Sequence, residues 1–314
     1  MSAPRLISLK AVGFQPSTTY IHPSSMRRIN IYILMSIQLM IAGGTHIVAK
    51  ALVTEVDPAA VLLMRSVISA VGMMAIFTLK GRTLGIDLED FGPFLLLGVL
   101  GIPLNQYFYL YGMQFTTAAN GALLYASTPS FVLVLSHFML KEHITLKKSF
   151  GIALAFFGIT IVVFERGVDF SSQYTFGNVL VLIAVLAWAL FTILGKKMII
   201  KYGALHTTAV MMLFGTVSFF PFGAILAVDF PFSHLTVGQW SGILYLSLGT
   251  SIAGYLLWYY ALSRIETAKV AVFANGQPIF ATLLSLLFLD YTITGSFVTG
   301  GILTLIGVVI TQLG

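Results

Sequence analysis

The side chains of this chain that could do chemistry inside a membrane are few and unevenly charged. Its eleven acidic residues, Glu55, Asp57, Asp87, Glu89, Asp90, Glu142, Glu165, Asp169, Asp229, Glu266 and Asp290, all fall between apolar runs or at their ends. Arg65 instead stands well inside one, where insertion scales put the cost of such a residue at roughly 2.5 to 3.5 kcal/mol. Two readings would offset that cost. The guanidinium faces a cavity and binds an anionic group through paired hydrogen bonds, or it snorkels outward to helix-end groups near Glu55 and Asp57 in a structural role. His46 carries a similar choice. An imidazole titrates near neutral pH and can relay protons, or it stays neutral and hydrogen-bonded between helices.

Amides and aromatics surround these two positions at helical spacing. Gln38, Ala42 and Thr45 share a face with His46 beside it, and Asn105 and Tyr109 are four residues apart. Tyr125, Asn275 and Gln277 precede two intramembrane prolines, while Trp188 with Thr192, and Tyr255 with Trp258, add aromatic surface. Such a wall suits a small zwitterionic or aromatic solute. The alternative for the Trp258–Tyr260 cluster is an interfacial anchor. No HExxH pair and no paired midplane acids occur, and cysteine is absent. Catalytic residues, metal ligands and cofactors are therefore expected to be none. An intramembrane enzyme or a channel is the alternative class, but a pore would display charge rings or a carbonyl filter.

The elements that position these groups must be membrane helices. With 58% hydrophobic residues, 9% charged and a mean hydropathy of +0.95, the chain lies far from the roughly 25% charged residues of globular domains. A soluble fold is excluded. Apolar runs predict ten helices over residues 29–49, 58–79, 92–111, 118–140, 148–165, 177–199, 206–228, 238–261, 268–289 and 295–313. The formal charge of +6 comes from Lys and Arg in short loops, so they read as topology signals and no nucleic-acid partner is expected. A cytoplasmic N-terminus leaves only Lys50 and Arg166 outside, with Arg65 within a span. The chain thus reads as a multi-pass protein of the plasma (cell inner) membrane with both termini cytoplasmic. Residues 1–28 form a polar tail without a signal-peptide core. Met26, directly before Arg27 and Arg28, is read as an alternative translation start.

Pro129 and Pro278 stand 149 positions apart, and the same shift aligns Tyr111 with Tyr260, Ala119 with Ala268, Ala122 with Ala271, Phe131 with Phe280, Ser136 with Ser285, Thr145 with Thr294, Gly151 with Gly300 and Gly158 with Gly307. This is an internal duplication, assigned to repeats at 29–166 and 177–313. With five spans each, the second copy must enter from the opposite face. Inverted repeats of this kind place a solute site at their interface. Pro129 and Pro278 are expected to break the lining helices and gate that site, at a cost near 3 kcal/mol inside a regular helix. Gly151, Ala155 and Gly158, and likewise Gly300, Thr304 and Gly307, form small faces for close packing within the bundle or in a homodimer.

The passage from Gln106 through Tyr111, Ala118 and Ala119 to Pro129 resembles the EamA-like transporters of the drug/metabolite transporter superfamily. So does the passage from Trp258-Tyr259-Tyr260-Ala261-Leu262 through Thr267-Ala268-Lys269 to Asn275-Gly276-Gln277-Pro278. Glu142 with Thr145 and Gly151 resembles that family's acidic turn, which the second repeat departs from with Asp290 and Tyr291. Lys50, Lys196 and Arg65 resemble further family positions. The resemblance implies an all-α fold of ten helices in two inverted five-helix repeats. It also implies a permease or exporter that moves a small organic metabolite, such as an amino acid, by alternating access.

Overall fold

In the computed structural model, residues 25–81, 83–140, 144–165, 172–265, 270, 273–289 and 292–313 are described. The tail through residue 24, Arg166, Glu142, the Thr267–Lys269 passage, Asp290 and Tyr291 lie outside them. Every regular element among the described residues is a helix. In chain order these are α1 (Ser25–Glu55), α2 (Pro58–Leu79), α3 (Leu88–Phe115), α4 (Ala118–Ala126), α5 (Thr128–Leu140), α6 (Leu146–Val163), α7 (Gln173–Tyr202), α8 (Ala204–Leu226), α9 (Val237–Leu262), α10 (Gln277–Phe288) and α11 (Gly295–Leu313). Counting α4 and α5 as one span, eight helices are long and apolar enough to cross a membrane, and α10 and the apolar part of α11 are shorter.

Turn chemistry sets the boundaries. Asp57 accepts from the amides of Ala59 and Ala60, at 2.8 and 3.1 Å, with Pro58 in the first turn of α2. Gly203 takes a φ of +81° between α7 and α8, a conformation that only glycine adopts cheaply. Thr145 and Thr294, equivalent under the 149-residue shift, do the same job. Thr145 accepts from the Lys148 amide at 3.2 Å and Thr294 from the Phe297 amide at 3.0 Å, each at the start of its repeat's last helix. At the end of α7, Lys201 reaches both Asp87 and Asp90 at 2.5 Å, tying that end to the start of α3. This hydrogen bond from Lys201 holds the exposed Asp87 carboxyl below its ordinary range.

The intramembrane breaks are real, but the prolines do not lie in helix interiors as expected. α4 ends at Ala126, and Pro129 occupies the first turn of α5; Pro278 likewise stands in the first turn of α10. A missing amide costs little there. An uninterrupted helix would have used the carbonyls of Leu124 and Tyr125 near the break. The Ser127 and Thr128 hydroxyls take them instead, at 2.5 and 2.6 Å. In the second repeat a 3₁₀ turn at Phe273–Gly276 precedes α10. The 12 residues of α10 rise about 18 Å, short of a hydrocarbon core of roughly 30 Å.

A second irregularity recurs in equivalent helices. Within α3, residues Leu100–Tyr107 widen to π-helical bonding around Pro103, and within α9, Tyr245–Gly254 do so without a proline. Such widening is common at functional sites.

The two repeats interleave. α1 packs on α9 and α10, α4 and α5 on α7, α2 on α8 and α9, α3 on α7 and α8, and α4 on α10. The tightest seam joins α6 to α11, the equivalent last helices. A Cβ on Gly151 would meet Thr311 and Gly307, and one on Gly158 would meet Thr304 and Gly300. As numbering rises on one helix it falls on the other, so these equivalent helices run antiparallel. The glycine faces are thus used within this chain, backbone against backbone.

Gly307→Leu is therefore expected to force α6 and α11 apart, because even its Cβ would lie 2.4 Å from the Ala155 amide nitrogen. A loss of about 1–3 kcal/mol or more would appear as a lower unfolding temperature in detergent. Gly92→Ala, where a Cβ meets nothing within 4 Å, should leave it unchanged.

Candidate solute cavity

The packing leaves a half-open central cavity with a volume of about 80 Å³ for the centres of water-sized molecules. It is walled by α1, α2, α3, α4, α7, α9 and the start of α10. On α1, Gln38, Ile41, Ala42, Thr45 and His46 line it, and α2 contributes Arg65. The π-helical stretch of α3 supplies Asn105 and Gln106, followed by Tyr109. Tyr125 comes from the end of α4, Trp188 from α7, and Gln277 from the first residue of α10. The lining is completed by Thr250, Gly254, Tyr255 and Trp258 of α9. Helix irregularity and cavity coincide: Thr250 and Gly254 belong to the π-helical stretch of α9, and Gln277 follows the break before α10.

Hydrogen bonds tie the repeats together around this space. The His46 Nε2 faces Gln277 Oε1 at 3.1 Å, and its Nδ1 faces the Tyr109 hydroxyl at 2.8 Å. The Gln277 oxygen can only accept, so Nε2 carries a proton, and Nδ1 accepts from Tyr109 in the neutral ring. This is the interhelical arrangement that the sequence left open beside proton relay. Asn105 donates to the Tyr125 hydroxyl at 2.6 Å and to the Ala184 carbonyl at 2.8 Å, pinning α3 to α4 and α7. Thr45 donates to the Ile41 carbonyl, and its oxygen meets Thr250 of α9 at 2.7 Å. Gln106 donates to the Tyr255 hydroxyl at 3.0 Å, and these two residues are themselves separated by 149 positions. Equivalent positions of the two repeats thus touch each other in the cavity wall.

Arg65 is 2% exposed and donates from Nε to the Ser251 hydroxyl on α9 at 2.9 Å. Neither Glu55 nor Asp57 holds it. Asp57 caps α2, and Glu55 accepts from Gln239 at 2.8 Å. The aromatic end of the wall is mutually packed, with Trp188 5.1 Å from Tyr255 and 5.6 Å from Trp258 between ring centroids.

Of the residues that the sequence singled out, Gln38, Ala42, Thr45, His46, Arg65, Asn105, Tyr109, Tyr125, Trp188, Tyr255, Trp258 and Gln277 come together on this lining, with Ile41, which it did not name. Thr192 and Asn275 do not belong to it. Thr192 is fully buried on α7 one turn past Trp188, and Asn275 lies in the 3₁₀ turn before α10. Pro129 and Pro278 act behind the wall by setting where α5 and α10 begin. Gln106, Thr250 and Gly254 were missed. The first could have been found from its 149-residue relation to Tyr255, whereas the other two become lining through the π-helical shift of α9, which no periodicity announces. Trp258 is fully buried against Trp188 and is not an interfacial anchor. Lys50 has a structural place, donating to the carbonyls of Met113 and Gln114 at 2.9 and 3.1 Å where α3 ends.

A bundle whose described elements are all helices, eight of them membrane-length and apolar, around a mainly apolar cavity with a few polar side chains defines a polytopic membrane protein. The chain belongs to the EamA-like transporter family, whose model matches residues 29–164 and again 175–313. It is similar to the uncharacterized transporter YetK of Bacillus subtilis (strain 168), with 29% identity over 262 residues, 82% of this chain and 79% of that one. It is also similar to an uncharacterized transporter of Archaeoglobus fulgidus, with 28% identity over 283 residues, 89% of this chain and 96% of that one. A crystal structure of a further protein superposes with a TM-score of 0.65 at 16% identity, covering 91% of this chain and 97% of the other. That likeness concerns the fold alone.

The Asn105 pin yields a graded prediction. Asn105→Leu removes both the Tyr125 and the Ala184 bonds and is expected to cost about 1–3 kcal/mol, the range for two lost buried hydrogen bonds. Tyr125→Phe keeps the Asn105–Ala184 bond and should cost less. Thermal unfolding of the two variants side by side checks the order.

Proposed function

We propose that this protein is a secondary carrier that moves a small organic metabolite, in the size range of an amino acid, across the plasma membrane by alternating access. Both termini are cytoplasmic in this reading. The observation that carries it is the position of the cavity. It lies where the repeats meet, walled by an equivalent pair, Gln106 and Tyr255, and by helices irregular at that depth. Inverted-repeat carriers bind solute at such a point and expose it to either side by moving one half against the other. The residues assigned to solute are Gln38, His46, Arg65, Asn105, Tyr109, Tyr125, Trp188, Tyr255, Trp258 and Gln277, with Gln106 and Thr250 added. The breaks before Pro129 and Pro278 are the proposed places of bending.

Reconstitution into proteoliposomes tests the class. A screen of radiolabelled amino acids, nucleosides and organic acids should yield at least one solute with saturable uptake stimulated by the same solute on the far side. Flux that never saturates would make it a channel, and product formation without translocation an enzyme. Because the chain has no cysteine, the mechanism can be tested by cross-linking. Thr45 and Thr250, whose hydroxyl oxygens are 2.7 Å apart, are replaced together by cysteine. A disulfide there is expected to lower turnover about tenfold or more by joining α1 to α9. Reducing agent should restore the turnover of the uncross-linked double replacement, with each single replacement measured beside it to separate the lost threonine hydroxyls from the cross-link. Full turnover in the cross-linked protein would eliminate a mechanism that moves α1 against α9.

A further inference from the structure

The geometry points to a small organic monocarboxylate as the solute, its carboxylate held by Arg65. This rests on the carrier reading above and specifies its cargo. The cavity lining holds a guanidinium and no carboxylate. Among the described residues, ion pairs within 4.0 Å occur only between Lys201 and Asp87 or Asp90, so Arg65 has no such counterion. A buried cation without an anion is costly, and the Ser251 hydroxyl engages only Nε. The two terminal nitrogens remain, a pair of parallel donors that matches the two oxygens of a carboxylate. The start of α10 at Gln277 adds the positive end of a helix dipole to the same cavity. One cation balances one negative charge, so a dianionic phosphate ester would leave charge unpaired.

Other atoms describe the rest of the solute. The carbonyl oxygens of Gln38 and Gln106 lack a hydrogen-bond partner among the described residues, and so does the indole nitrogen of Trp258. Gln106 is 3% exposed and Gln38 7%, so each orphaned acceptor is desolvated and calls for a donor. The open cavity does not reach these atoms as the side chains stand, so a hydroxyl or ammonium group on the body of the acid would provide one once the side chains turn toward it. The packed rings of Trp188, Tyr255 and Trp258 offer an apolar surface to its remaining part.

The test uses matched pairs, lactate with lactamide and 3-phenyllactate with its primary amide, and 2-phenylethyl phosphate as the dianion. Binding to the purified full-length protein is read from tryptophan fluorescence in a Trp240→Phe background, which leaves Trp188 and Trp258 of the cavity as reporters. At least one acid should bind saturably and about 100-fold more tightly than its amide or the phosphate, the scale of a desolvated charge-assisted pair. Arg65→Gln should erase the preference for acid over amide, while Arg65→Lys should keep it at about tenfold weaker affinity. Should Arg65→Gln fail to fold, the acid-to-amide ratio of the unmutated cavity decides alone. Equal binding of acid and amide, no binding by either acid, or an undiminished acid preference in Arg65→Gln would each overturn the assignment. Flux separates this from the carrier reading. Saturable transport of neutral or cationic solutes without acid preference overturns the carboxylate and leaves the carrier standing. Acid binding without saturable flux does the reverse.

Discussion

The architecture depends on one constraint: within lipid, every backbone amide and carbonyl must find its partner inside the protein. A regular helix does this for itself, and wherever this chain departs from one, a named group makes up the difference. Ser127 and Thr128 take the carbonyls at the break before Pro129. Lys50 takes the last carbonyls of α3. At each of these places a side chain of the protein, and not water, meets the backbone group.

Two kinds of contact between the repeats divide the labour. Along α6 and α11, glycines bring backbones close enough that a single methyl group would collide. The only polar side chains at these contacts, Thr304 and Thr311, bond back to their own helix. Around the cavity the contacts are side-chain hydrogen bonds, His46 to Gln277, Thr45 to Thr250 and Arg65 to Ser251, each joining the first repeat to the second. Hydrogen bonds between polar side chains can be exchanged for bonds to solute or water at little net expense, whereas a glycine seam has no alternative partner. In the proposed carrier cycle, motion would fall to the hydrogen-bonded contacts.

Much of this was legible in the chain, for physical reasons. The ten apolar runs and the 149-residue repeat follow from hydropathy and identity. The polar lining residues announced themselves because lipid makes a polar side chain in an apolar run conspicuous. What periodicity cannot report is a change of helix type. The π-helical stretches of α3 and α9 rotate the following residues, which is why Thr250 and Gly254 were missed and Trp258 was left open as an anchor. Pro129 and Pro278 marked the right place with the wrong geometry, since a proline signals a break equally well by ending one helix or by beginning the next. Thr192 shows the opposite error: it shares a face with Trp188, but the cavity ends before it.

The bond between Gln106 and Tyr255 joins a position to its own counterpart, so it lies beside the axis that relates the repeats. When two such halves trade shapes, points far from the axis sweep through large paths while points upon it barely shift. In the proposed cycle this amide and phenol would therefore stay clasped, a fulcrum about which the rest of the wall tilts.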